Sequence, residues 1–244
     1  MKKNKMMRVA SALMVAVLLS TCAISGTFAK YVTTADANDT ARVAKWGVSV
    51  TATGSLFETQ YANDGAIEKD EAGNDIAYTV VSSGSDDVVA PGTAKENGLT
   101  FSITGAPEVA VNIDFNITGV EDVLLPAGTY LDYTTGNNAA DEFTLDDDYY
   151  PIVYSLKKEG TEVASGTMED IEDYLDGIEG NYAANTNLTT TFGNYTLSWA
   201  WEFGDDANNK ADTFLGQLAA GVATATGAST TASATIEITV SQID

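Results

Sequence analysis

Apolar residues recur at every second position over much of the chain. In Val109-x-Val111-x-Ile113-x-Phe115-x-Ile117 the apolar side chains fall on one face, while Ala110, Asn112, Asp114, Asn116 and Thr118 fall on the other. That period of two is the signature of a strand buried on one side. The same alternation groups Trp46, Val48 and Val50 against Lys45, Ser49 and Thr51, and Phe101 and Ile103 against Ser102 and Thr104. It returns in Tyr195, Leu197, Trp199 and Trp201, and again in Ile236, Ile238 and Val240. Ile152 to Leu156 reads as a strand that turns through Lys158-Glu159-Gly160 into Thr161 to Ala164, a hairpin. Short strands with one apolar face, separated by Gly, Asn and Asp turns, predict an all-β chain: an antiparallel β-sandwich or jelly roll.

Two stretches change period. After Thr167, Ile171, Tyr174, Leu175 and Ile178 follow helical spacing, and Glu169, Asp170, Glu172 and Asp173 sit where the helix dipole favours anions. From about Asn208 to Ala220, Ala211, Phe214, Leu215 and Leu218 make a second apolar stripe, with Gly221 as its stop. Both are expected to be short peripheral helices closing the sandwich. Residues 53–85, rich in Asn-Asp-Gly and Ser-Gly-Ser-Asp-Asp clusters, are expected to form an irregular insertion. Ala219 to Ala234, nearly all Ala, Thr, Gly and Ser, are expected to form a loop into the last strand.

The N-terminus obeys neither period. Lys2, Lys3, Lys5 and Arg8 precede an uncharged run from Val9 to Ile24, shorter than the ~20 residues a spanning helix needs and typical of an export signal. Small Thr27 and Ala29 occupy the −3 and −1 positions of a cleavage site that would leave Lys30 first. Two alternatives stand beside it: a retained anchor, and lipidation at Cys22 in Leu19-Ser20-Thr21-Cys22, where Thr21 is bulky for a lipoprotein box. The expected organisation is a signal peptide over 1–29, an N-terminal segment over 30–41, and one domain over 42–244. No second apolar stretch near 18 residues follows, so no membrane association is expected after cleavage, and the product is expected to be secreted.

Composition narrows the chemistry. The chain of 244 residues has 12 basic and 35 acidic side chains, one cysteine and no histidine. Without histidine there is no Ser-His-Asp triad, no Cys-His pair and no HExxH zinc site, and one cysteine makes no internal disulfide. Removing residues 1–29 takes away four basic residues and no acidic one, moving the net charge from −23 to −27. A surface this acidic repels nucleic acid and anionic lipid. No catalytic residues are expected and no cofactor is required. Calcium is the ion that acidic loops would take. The weak candidates are Asp205, Asp206, Asn208 and Asp212, and separately Asp146, Asp147 and Asp148, none in an EF-hand pattern. Solvated acidic loops are the plain reading of both. Trp199, Trp201, Tyr149 and Tyr150 could form an aromatic platform for a carbohydrate, although the two tryptophans share a face with Leu197, which points to core packing.

Several passages, in order along the chain, resemble the TasA/camelysin family of secreted Gram-positive proteins. They are Ser25-Gly26-Thr27-Phe28-Ala29-Lys30-Tyr31, Ala41 to Val48, Ala90-Pro91-Gly92-Thr93, Ile103 to Val111, Tyr150 to Tyr154, Ser198 to Phe203, and Asp212 to Gly216. The resemblance implies a jelly-roll subunit of a biofilm matrix fibre, released by a dedicated SipW-type signal peptidase. It also implies a head-to-tail homopolymer joined by donor-strand exchange, with Lys30, Tyr31, Val32, Thr33 and Thr34 leading the donor segment. A polar-apolar segment without proline is compatible with that role, since it can pair with an unfilled sheet edge. An unstructured mature N-terminus is the plain alternative. The camelysin branch carries a metalloprotease description, but this chain has no histidine to ligate the metal. A monomeric adhesive or carbohydrate-binding domain is the remaining alternative.

Overall fold

The computed structural model describes residues 42–62, 68–69, 73, 75–76, 78–134, 141–204 and 206–243. Residues 42–46 lack regular secondary structure and belong to a separate unit spanning Met1–Trp46; the second unit, Gly47–Asp244, carries the architecture below.

Alternating segments become strands. In chain order they are β1 (Val48–Gly54), β2 (Gln60–Ala62), β3 (Glu68–Lys69), β4 (Asp75–Ile76), β5 (Tyr78–Val81), β6 (Thr93–Gly105) and β7 (Val111–Glu121). There follow β8 (Gly128–Leu131), β9 (Glu142–Leu145), β10 (Val153–Lys158), β11 (Thr161–Gly166), β12 (Gly180–Tyr182), β13 (Gly193–Trp201) and β14 (Ser233–Gln242). The helices are α1 (Met168–Asp176), α2 (Leu188–Thr191) and α3 (Asp206–Ala219). The protein is therefore all-β with antiparallel pairing and, among the described residues, three short helices, one more than the sequence pattern predicts. The extra one, α2, is a single turn capped by the Asn187 side chain and anchored by buried Leu188.

Two sheets make the body: a five-stranded sheet in the order β1-β6-β13-β10-β11 and a three-stranded sheet in the order β12-β7-β14. Their inner faces meet through Phe101 of β6, stacked 5.1 Å from Tyr195 of β13 and 6.3 Å from Phe115 of β7. Ile103, Val111, Ile113, Leu156 and Leu197 are fully buried around these rings. Each such side chain stabilises the fold by ~1.5–3 kcal/mol, so the sheets hold together by burial rather than by ion pairs. β10 returns as β11 through Glu159 and Gly160, both at positive φ (49° and 79°). This two-residue turn matches the twist of the strands it joins.

Helix α1 begins at a capping box: Asp170 donates its backbone N–H to the Thr167 hydroxyl, and its carboxylate accepts the Thr167 N–H at 2.7 Å. Met168, Ile171 and Leu175 are buried, and α1 packs on β7, β10 and β11. Helix α3 buries Phe214 beside the β8–β9 hairpin, 4.8 Å from the Tyr130 ring and 6.3 Å from Phe143. Within residues 53–85, β2 pairs with β5 and β3 with β4. Leu56 and Tyr61 from this segment are buried; Leu56 accepts the Trp199 indole N–H through its carbonyl at 2.7 Å, and the Tyr61 ring meets Trp199 edge-on at 5.6 Å.

Candidate functional site

The five-stranded sheet ends at β1 and the three-stranded sheet at β14, and among the described residues neither edge strand has a second neighbour. β14 pairs with β7 in register, Ile236 with Ile117, Ile238 with Phe115 and Val240 with Ile113. Directly paired residues share a face, yet their burial differs. Ile113, Phe115 and Ile117 of β7 are buried, whereas Ala234, Ile236, Ile238 and Val240 of β14 are only half-buried. β7 is covered by more of the fold: β12 pairs with it at Val111 to Ile113, α1 packs on it, and the Phe115 ring meets Phe101 and Phe192, whereas β14 is an edge strand. Among the described residues no strand pairs with the far edge of β14.

The same shortfall marks the edge of the larger sheet. Val50 and Ala52 of β1 pair with Ile103 and Phe101 of β6, which are buried, yet Val50 is 38% exposed and Ala52 is exposed too. A cleft of about 260 Å³ lies where the end of β1 comes near the start of β14, lined by Gly54, Leu56, Leu99, Ala232, Ser233 and Ala234. An edge strand of ten residues is a template for another chain unless proline, lysine or a covering element blunts it. β14 has neither proline nor lysine, and Glu237 is its one charge. The edge of β14 is therefore a half-covered apolar row bordered, among the described residues, by unpaired backbone.

The predicted site residues distribute as follows. Thr27 and Ala29 of the cleavage site, Cys22, and the donor residues Lys30, Tyr31, Val32, Thr33 and Thr34 lie outside the described residues, as does Asp205. Asp206 is exposed at the start of α3, and Asn208 is half-buried two residues further on. Asp212 faces the interior: its Oδ1 accepts the Tyr149 hydroxyl at 2.8 Å and the Trp201 indole N–H at 3.0 Å. Burial pushes the Asp212 carboxyl above the ordinary carboxylate range, and the two hydrogen bonds oppose that shift. Asp146, Asp147 and Asp148 are exposed in the turn after β9, where Asp148 accepts the Ala127 N–H at 2.8 Å. Among the described residues no group of three or more acidic or cysteine side chains is placed to hold a metal ion.

The aromatic quartet divides. Trp199 and Trp201 are buried, 2% and 5% exposed, as their shared face with Leu197 predicts. Tyr149 is tied to Asp212, and Tyr150 alone stands exposed at 39%. Phe203, which sequence reasoning did not single out for such a platform, is 76% exposed. Its signal was its place two residues past Trp201, where alternation would assign it inward; the strand instead ends at Trp201. No described helix is long and apolar enough to cross a membrane. The chain matches no family model, no curated protein and no solved structure.

Proposed function

We propose that the chain is an exported, non-enzymatic structural subunit that polymerises head to tail into an extracellular matrix fibre. Each copy lends its N-terminal segment to the next, on the jelly-roll plan that the family resemblance implies. The observation that supports the reading is the edge of β14, where Ile236, Ile238 and Val240 stay half-covered and, among the described residues, no strand pairs with the far side.

The proposed occupant fits in length and pattern. Lys30 to Thr40 supplies eleven residues against ten in β14, about 36 Å and 33 Å at ~3.3 Å per residue. Tyr31, Thr33, Ala35 and Ala37 alternate with Val32, Thr34, Asp36 and Asn38, so one face suits an apolar slot and the other is mostly polar. A contact that joins one end of a copy to the edge of another does not close on itself and gives filaments rather than dimers.

The test is negative-stain microscopy of protein beginning at Lys30, across salt and pH 4 to 7, beside a protein lacking Lys30 to Asp39. Filaments from the first and folded monomers from the second are expected. Filaments from the truncated protein overturn the donor mechanism, and monomers from both under every condition overturn the fibre reading.

A further inference from the structure

A second feature lies on the outer face of the five-stranded sheet, built from β6, β10, β11, β13 and the loop after β13, with nothing contributed by β14. It is a groove of about 710 Å³, within the ~300–1,000 Å³ of small-ligand sites. Its floor is made of small side chains. The cross-strand row Ala94, Ala200 and Val153, with Ser198 and Ser155 in the next row, leaves the sheet surface low across three strands. Tyr150 and Phe203 rise beside it, 39% and 76% exposed.

Phe203 is not a loose surface ring. It sits over Gly92, where an added Cβ would come within 2.2 Å of Phe203 Cε2, and Gly92 has φ +78°. The Gly92 N–H donates to the Trp201 carbonyl at 2.7 Å, fixing this corner to the end of β13. The floor is shaped by a bulge. β6 places Glu96, Asn97 and Gly98 between residues that pair with Trp199 and Leu197, so three residues oppose Ser198 alone. Asn97 takes a left-handed conformation (φ 54°), and its N–H donates to Ser198 Oγ at 3.2 Å. Bulges of this kind re-aim side chains, and here Glu96 lines the groove.

Charge selects among ligands. Glu96, Glu162 and Glu202 line the groove with Lys157 the one basic side chain, on a chain of net charge −23. An acidic ligand is repelled. A partner protein would need about 800 Å² of its own surface buried, much of it apolar, at a standard interface; the small polar floor offers little of that. A sugar ring suits the groove better. Its C–H face stacks on an aromatic ring, and its hydroxyl or amino groups donate to carboxylates and serine oxygens. Glu162 already accepts the Ser155 hydroxyl at 2.7 Å, so its carboxylate is oriented from within the groove.

We infer that this groove binds a non-acidic glycan chain, preferring sugars that carry free amines, with Phe203 and Tyr150 as stacking surfaces and Glu96, Glu162 and Glu202 as acceptors. The site does not rest on the fibre reading, because polymerisation through β14 leaves this face as it is.

The test is calorimetric titration of the full chain with three hexamers: chitosan (amine-bearing), cellohexaose (neutral) and oligogalacturonate (acidic). Chitosan hexamer is expected to bind most tightly and to weaken with salt, cellohexaose more weakly and without salt dependence, and oligogalacturonate not at all. Phe203→Ala and Tyr150→Ala, both at exposed positions, are each expected to weaken cellohexaose binding by roughly tenfold with an unchanged melting temperature. Binding of oligogalacturonate as tight as that of chitosan overturns the charge assignment. Absence of binding by all three overturns the site. If chitosan binds equally to the wild type and both alanine variants, the attraction belongs to the acidic surface at large and the groove is overturned.

Discussion

Replacing Ile238 by aspartate separates folding from assembly. In the isolated subunit Ile238 is half-buried beside Phe115 on the apolar face of β14. Full burial of such a side chain is worth ~1.5–3 kcal/mol, so losing half of it costs the monomer about 1 kcal/mol. At this chain length that lowers the melting temperature by about 3 °C. In the proposed fibre the same position is covered by an incoming strand. A carboxylate there loses its water without gaining a partner, at a cost of several kcal/mol. Taking ~3 kcal/mol for the docking step, and 1.4 kcal/mol per tenfold, the concentration needed for filaments rises by about a hundredfold. The assay is pelleting against protein concentration, with microscopy of the pellet. Glu237→Gln is the control, since Glu237 lies on the opposite, exposed face of β14 and its loss should ease assembly by removing like charge. If Ile238→Asp melts about 3 °C lower yet pellets at the wild-type concentration, the acceptor edge is not β14.

Asp212→Ala leaves the Tyr149 hydroxyl and the Trp201 indole N–H without their shared acceptor. Thermal melts are expected to show a loss of about 3 kcal/mol, while Asp212→Asn, which keeps an acceptor oxygen and sheds a desolvated charge, should stay within about 1 kcal/mol of wild type. Gly92→Ala puts a Cβ into the Phe203 ring at a positive φ, so calorimetry should show a loss of about 1 kcal/mol or more together with loss of cellohexaose binding. Burial raises the Asp212 and Asp122 carboxyls above 3.8; the folded state therefore holds their protons more tightly, and this contribution is complete below about pH 4 and lost as pH rises through the folded values. The Lys210 ammonium and Thr134 hold Asp132 down at about 2, so its contribution is present above about pH 4 and lost as pH falls toward 2. Melts should therefore lose stability as pH falls from about 4 toward 2, where Asp132 protonates, and a steady decline on lowering pH from 7 to 4 would contradict the raised Asp212 and Asp122 carboxyls.

Local pattern was enough for the strands β1, β6, β7, β10, β11, β13 and β14 and for two helices, while the short strands β2 to β5, β8, β9 and β12 carry too few alternating residues to announce themselves. Tyr195, Leu197, Trp199 and Trp201 alternate without a break, and every one of them is buried on β13. Thr167 followed by Asp170 announced the start of α1 where the capping box is found. The single turn of α2 lies below any helical period, so only its tertiary setting, buried Leu188 and the Asn187 cap, reveals it. Asp212 was read with its acidic neighbours as a calcium candidate, because composition draws the eye to clustered carboxylates. Its place in α3 says otherwise: it lies between Ala211 and Leu215 on the buried face, where a carboxylate persists only with donors, and Tyr149 and Trp201 supply them from elsewhere in the chain.

The open edge belongs to a different order of information. Alternation in Ser233 to Gln242 says which side chains point inward, but not whether a neighbour exists beyond the strand. That depends on pairing between residues more than a hundred positions apart, as Ile238 with Phe115. The diagnostic is a conflict between pattern and exposure. Val50 and Ile238 both occupy inward positions opposite buried partners, one in each sheet, and both retain more accessible surface than those partners. A single exposed valine on a surface needs no explanation. Two inward rows left short of cover, each on the edge strand of a sheet, are what unfilled sheet edges leave behind. That geometry makes assembly through β14 the reading with the most to lose from the Ile238→Asp experiment.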